Sequence, residues 1–301
     1  MRSYIKGIDT VMPTGEVLRM GGKLLKNNTG YDLMHLIIGS EGTLAVVTKV
    51  ILRLFPPDIA SATMIMPYND RHAAINTVPQ ILQSGIIPMA IEYMDRGPVE
   101  LSAEHLNMEW PCKTGTAYLM IIVVGNSKEE VYLQCERISE ICERHSELEA
   151  LVGETRKEQD RVLKIRSNVY LAVKRDTADF LDVAVPPANM GKLMDAIDEI
   201  AERHGTVIPM VGHAGDGNLH PVLMRDLVEK GSENLKEAKR EVYRATVELG
   251  GIMTAEHGVG RVRIPDADIF LDKKEIELMR GIKKVFDPNG ILNPGCAIRL
   301  E

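Results

Sequence analysis

The ten residues GHAGDGNLHP, Gly212 to Pro221, restrict the backbone more than any other stretch of this 301-residue chain. His213 and His220 stand seven apart, a spacing that would stack them on one face of a helix. Gly215 and Gly217 are poor helix residues, however, and Asp216 and Asn218 favour turns. The stretch therefore reads as a tight loop whose ends return side by side and aim both imidazoles at one point. That is how a pair of metal ligands is made.

A second polar cluster, TAEHGVG, carries Glu256 and His257 ahead of two close glycines. In an extended segment neighbouring side chains point to opposite faces, so one of the two could join the histidine pair while the other faces a different reactant. Two imidazoles and a carboxylate with an open position are a common ligand set for a catalytic divalent metal, zinc first, with manganese or iron also suited. Taken singly, each of these loop residues is more simply a hydrogen-bonding or surface group.

Composition narrows the classes. The chain is 45% hydrophobic and 26% charged, with net charge −7. This acidic balance, without a long Lys/Arg run, argues against nucleic acid as the partner. The longest apolar run, Ala117 to Val124, is far short of the ~20 residues that span a bilayer and reads as a buried strand. No secretory leader is apparent at the start of the sequence. The four cysteines, Cys112, Cys135, Cys142 and Cys296, form neither a CxxC pair nor a disulfide framework, which predicts free thiols in a cytoplasmic protein. Cys135 and Cys142, seven apart on an expected helix, read as small core residues. Gly258-Val259-Gly260 lacks the third glycine of a dinucleotide fingerprint, GGKLLK lacks the Ser/Thr of a P-loop, and no G-x-S-x-G occurs.

The chain punctuates itself. Val46 to Leu52 suits a strand, and Pro56-Pro57 cannot continue it, so a boundary is expected near residue 58. Beyond it strands and helices alternate. SATMIMP, a helix from about 69 to 84, and IIPMAIEYM form one βαβ-type unit. The strand at 117 to 124, a helix from about 127 to 144 capped by Ser127, and ELEALV form another. A helix spans about 158 to 173, and Asn189 is expected to cap one reaching His204. Two such units predict an α+β sandwich with helices on one sheet face. A last helical segment covers about 232 to 249 and then KKEIELMRGIKKVF.

KNNTGYDLMHLIIGSEGTLAVVTKVILRL, GHAGDGNLH, TAEHGVG and DPNGILNPG, in this order, resemble the FAD-linked D-2-hydroxy acid dehydrogenases of the vanillyl-alcohol-oxidase fold, a group that includes D-lactate dehydrogenase and the glycolate oxidase flavoprotein subunit. The resemblance implies an α+β architecture with three parts. Residues 1–57 would be the C-terminal part of an FAD-binding domain, 58–225 a ferredoxin-like cap that binds substrate, and 226–301 a helical segment returning to the FAD domain. It implies FAD contacts from Gly39, Ser40, Glu41, Gly42, Thr43, Val46, Val47 and Asn293. It assigns a divalent metal (Zn, Mn or Fe) to His213, His220 and Glu256, the base to His257, and the substrate carboxylate to Arg166, whose planar fork can pair both oxygens.

The implied reaction is oxidation of a 2-hydroxy acid by hydride transfer to flavin. Pro221-Val222 and Phe180 replace the Asn and Lys that related dicarboxylate enzymes carry, which favours D-lactate or glycolate. The family's upstream FAD-domain half, with its glycine-rich pyrophosphate loop, precedes the matching region, so the resemblance implies a fragment, a truncated gene product or one polypeptide of a split enzyme, the last with a separate N-terminal FAD-domain polypeptide as partner. Expected electron acceptors are an electron-transferring flavoprotein, an iron-sulfur subunit or a quinone chain. A non-catalytic metal-binding or assembly subunit is the alternative, and a metal-dependent hydrolase a third reading.

Overall fold

At Pro56-Pro57 the backbone leaves one set of neighbours for another. In the computed structural model, which describes residues 2–145 and 148–299, the chain divides into two units. One is formed by the residues up to Pro57 together with those from Glu256 onward, the other by Asp58–Ala255.

The first unit begins with strands β1 (Ile5–Val11) and β2 (Val17–Gly21), the short helix α1 (Leu33–Ile37) and strand β3 (Val46–Leu52). These strands make an antiparallel sheet in the order β2-β1-β3. Asp32 caps α1 by accepting the His35 amide. Ile8, Ile37, Leu44 and Ala45 form a small core, with Ile282 and Phe286 packed against it.

The second unit is built on β4 (Ala60–Tyr68), α2 (Arg71–Gln83), β5 (Ala90–Asp95), α3 (Arg96–His105), β6 (Ala117–Gly125), α4 (Lys128–Glu143) and β7 (Leu151–Gly153). Both β4 and β5 run antiparallel to β6, and β7 runs antiparallel to β4, giving the order β7-β4-β6-β5. Each crossover helix thus joins parallel strands that have a third strand between them, the split βαβ of the ferredoxin-like plan. The apolar run at 117–124 is the inner strand β6. Ser127 caps α4 by accepting the Glu130 amide. The expected strand ELEALV begins at Glu147, outside the described residues; β7 covers its end.

The chain continues through α5 (Arg156–Ser167), α6 (Val169–Val173), β8 (Thr177–Phe180), β9 (Val183–Ala184), α7 (Met190–Arg203), β10 (Met210–His213), β11 (Asn218–Met224), α8 (Asp226–Glu229) and α9 (Ser232–Glu248). Among the described residues β10, β11 and β8 extend the sheet beyond β5 to eight strands, with β9 beside β11.

Helices cover both sheet faces, not one as expected. Helices α2 and α4 pack on β4 and β6 from one side. On the other, Val99 and Ala103 of α3, Val162 and Ile165 of α5, and Val169 and Val173 of α6 bury Ile65, Met94, Tyr118, Met120, Val211 and Val222. Strands whose residues are buried in both directions need cover on both sides. The helix expected over 158–173 is broken at Asn168, and Thr155 with Glu158 forms a capping box at its start. Asn189 occupies the N-cap position of α7, but its amide donates to the Leu249 carbonyl at 3.0 Å instead of capping.

The boundary expected at 225 falls after Ala255. The reason is packing: α9 lies against α7, and Ile252 and Thr254 bridge to Ala184 and Asp182. The segment 226–255 therefore stays with the large sheet. Only α10 (Ile264–Phe270), α11 (Lys273–Phe286) and their flanks belong to the first unit. Cys112, Cys135 and Cys142 are buried free thiols. No helix among the described residues is long and apolar enough to cross a membrane.

Candidate active site

Strands β10 and β11 pair with Val211 opposite His220 and His213 opposite Asn218. Opposed residues share a face, as do positions two apart along a strand, so His213 and His220 emerge on the same side as diagonal neighbours. Their rings meet edge to face, centroids 5.5 Å apart. The turn between them is a single 3-10 turn, Ala214–Asp216, closed by Gly217 at φ 76°. A side chain at Gly217 would be both strained and driven into the Val185 carbonyl. The loop thus brings the two imidazoles together.

Register explains a residue that the motif did not reveal. Met94 of β5 lies beside Val211 and Tyr93 beside Gly212, so one step further sets Glu92 next to His213 on the same face. Glu92 is 8% exposed. Its Oε1 accepts from His213 Nδ1 at 2.8 Å, while Oε2 accepts from Arg166 Nε at 2.8 Å and lies 2.6 Å from Nη2. Burial pushes the Glu92 carboxyl up, but the His213 hydrogen bond and the Arg166 charge outweigh it and hold it below its ordinary value. Arg166 is therefore not a solvated helix charge: one edge of its guanidinium is committed to Glu92.

His220, 3% exposed, donates from Nδ1 to the Leu181 carbonyl at 3.1 Å. With Nδ1–H given to an oxygen, the neutral form of each ring carries its lone pair on Nε2, the form that ligates a metal. The donor chemistry fits a divalent ion. Phe180, opposite Val222 in register, stacks on His220 with centroids 5.3 Å apart.

Asp182, 1% exposed, ties this face together. Its oxygens accept from Asn218 Nδ2 at 3.0 Å, the Ala255 amide at 2.9 Å and Thr254 Oγ1 at 3.3 Å. Sequence alone signalled both acids faintly: Glu92 is the one carboxylate in the run AIEYM and Asp182 the one in LDVAV, and a carboxylate must be paired once buried.

In the other unit, the stretch around Gly39 to Thr43 turns through positive φ at Gly39 (95°), Glu41 (54°) and Gly42 (72°). The Glu41 carboxylate accepts from the Val259 amide at 2.8 Å and the Gly260 amide at 2.7 Å. A Cβ on Gly258 would sit 2.6 Å from Glu41 Oε1, so Gly258 of TAEHGVG makes room for this anchor. Asn293 Nδ2 donates to the Glu41 carbonyl at 2.5 Å. Thr43 Oγ1 donates to the Ser40 carbonyl at 2.7 Å, and the Thr43 carbonyl accepts from buried Lys283 Nζ at 2.7 Å. Lys283 also reaches the Leu292 carbonyl at 2.9 Å and pairs with Asp287, which clips the loop to the LNPG turn.

Glu41 and Asn293 thus meet through their own contacts, a role for their side chains that the motif did not show. Ser40 Oγ is shielded and without a hydrogen-bond partner. An orphaned hydroxyl in a loop of glycines fits a polar ligand such as FAD. Val46 and Val47 are exposed on edge strand β3.

Glu256 and His257 correct one expectation. Their segment bends instead of running extended, so alternation does not apply, and Glu256 Oε1 lies 3.6 Å from His257 Nε2. Both side chains are about half exposed.

Residues 59–296 match the model of the family described as FAD linked oxidases, C-terminal domain. The chain is 35% identical over 300 residues to a D-lactate dehydrogenase of Archaeoglobus fulgidus and 34% identical over 297 residues to the glycolate oxidase subunit GlcD of Bacillus subtilis. These matches take in 99% and 98% of the chain and 65% and 63% of the relatives, so the chain spans somewhat under two thirds of their length. The structure of p-cresol methylhydroxylase with substrate bound superposes with a TM-score of 0.74 at 15% identity, covering 98% of this chain and 65% of that one; this shows the vanillyl-alcohol-oxidase fold. The chain belongs to the FAD-linked oxidase family, matched through its C-terminal domain, and its relatives are FAD-linked oxidoreductases.

Proposed function

We propose that this chain is the substrate-handling part of an FAD-dependent dehydrogenase that oxidises a small D-2-hydroxy acid, D-lactate or glycolate, to the 2-oxo acid. The observation that carries the reading is the paired imidazoles, His213 and His220, with Nδ1 held by Glu92 and by the Leu181 carbonyl. His213, His220 and Glu256 would hold a divalent metal (Zn, Mn or Fe), which when bound lends Lewis acidity to a hydroxyl oxygen. Gly39 to Thr43, Val46, Val47 and Asn293 would contact FAD, which when bound accepts the hydride. The guanidinium edge of Arg166 not used by Glu92 orients the substrate carboxylate. His257 takes the hydroxyl proton, help typically worth ~10²- to 10⁴-fold. Phe180 beside His220 supports a small monocarboxylate over a dicarboxylate.

The N-terminal part of the FAD domain, in the same or a separate polypeptide, completes the enzyme in this reading. An electron-transferring flavoprotein or iron-sulfur subunit takes the electrons; that relatives carry the name of a subunit supports this. A cytoplasmic location accords with the free cysteines.

The test supplies the chain with FAD, with and without an N-terminal FAD-domain polypeptide, and follows the flavin spectrum and dye reduction with D-lactate and glycolate. Flavin retention and dye reduction only in the completed protein are expected. Failure of flavin to bind in both arms, the completed protein included, overturns the reading. Metal retention with no dye reduction would favour a non-catalytic metal-binding or assembly subunit.

A further inference from the structure

We propose that Glu92 is a positioning residue for this site, one carboxylate that sets the proton position on His213 and the orientation of Arg166 together. For His213 as a metal ligand the inference rests on the function proposed above; for the proton position it stands alone.

Glu92 interrupts an apolar strand and is shielded from solvent, so each oxygen needs a donor. The oxygens divide their partners: Oε1 takes the His213 Nδ1 proton, and Oε2 takes both Nε and Nη2 of Arg166. A neutral imidazole has one N–H. A carboxylate cannot donate, so it draws that proton to Nδ1 and makes Nε2 the lone-pair atom. Carboxylates behind metal-binding histidines fix tautomer and ring in this way and increase basicity. The same carboxylate occupies the side edge of Arg166 and leaves the end-on edge, with Nη1, for a substrate carboxylate.

This geometry makes an unusual demand on Glu92→Gln. Arg166 has only donors and claims the single amide oxygen. The amide NH₂ then faces His213 Nδ1, which must accept, so the imidazole proton moves to Nε2. In Glu92→Gln/Arg166→Met the claim on the oxygen is gone, the amide turns over, and Nδ1–H returns. A residue that merely fills space would show neither the inversion nor the rescue.

The experiment labels the eight histidines with ¹⁵N, assigns His213 by His213→Gln, and reads tautomers near pH 8 by long-range ¹H–¹⁵N correlation. Zinc affinity is measured on the same proteins by competition with a chelating dye. Expected are Nδ1–H in the natural protein, Nε2–H in E92Q with zinc bound about 10- to 100-fold more weakly, and Nδ1–H with recovered affinity in the double variant. A natural protein protonated at Nε2, or a folded E92Q that keeps Nδ1–H, overturns the proposal. If the tautomers change as expected but the natural protein takes no zinc, Glu92 keeps its role and the metal assignment falls. Should E92Q not fold, Glu92→Leu/Arg166→Met takes its place; retained Nδ1–H preference there also overturns the proposal.

Discussion

Replacing Asp182 by Ala probes the buckle behind the histidine face. The carboxylate accepts from Asn218 Nδ2 at 3.0 Å, the Ala255 amide at 2.9 Å and Thr254 Oγ1 at 3.3 Å while 1% exposed. Hydrogen bonds to a charged group are worth roughly 1.5–3 kcal/mol each, so three lose about 4.5–9 kcal/mol in gross terms. Removing the buried charge recovers several kcal/mol of desolvation. Asn218 keeps its bond to the Val183 carbonyl at 2.9 Å, and Ala255 is exposed enough for water to replace its partner. The net cost is about 2–4 kcal/mol.

Urea unfolding followed by a probe in residues 58–255 measures this cost. Amide exchange at Ala255 reports the local bond: a loss of ~1.5–3 kcal/mol speeds it by about 10- to 100-fold, at 1.4 kcal/mol per decade. A cost below ~1 kcal/mol with unchanged Ala255 protection would refute the role given to Asp182.

Four further outcomes are expected. Gly217→Ala forces a Cβ into the Val185 carbonyl at φ 76° and should cost at least ~2 kcal/mol in thermal unfolding, with loss of the His213–His220 arrangement by NMR. Glu41→Ala removes the acceptor for the Val259 and Gly260 amides and should speed their exchange by roughly tenfold or more. Glu92 contributes stability above the ordinary glutamate pKa, because its folded-state value is lowered; that contribution disappears as pH falls through the folded value, so the stability gap between the natural protein and E92Q should close in acid denaturation series. In the completed enzyme, Phe180→Lys should lower kcat/KM for D-lactate and raise it for a 2-hydroxy dicarboxylate, since it exchanges an apolar ring stacked on His220 for a cation.

Local rules made much of the fold legible. Ser127 caps its helix, the run at Ala117 becomes a buried inner strand, and the double proline marks the change of unit, because caps, β-branched runs and prolines act within a few residues. Where local logic met long-range packing it failed. Asn189 gave its side chain to Leu249, Glu256 and His257 bent together, and the segment 226–255 stayed with the sheet because α9 found α7.

The sequence by itself determined the histidine hairpin and the family, since GHAGDGNLH admits few backbones and the chain is 35% identical over 300 residues to a relative in that family. Only the tertiary structure decided which groups serve those histidines. Glu92 lies 121 residues before His213 and 74 before Arg166, and Asp182 lies 73 before Ala255. A buried carboxylate takes whichever donors the strand register delivers, and register is a property of the assembled sheet that no short stretch of chain encodes.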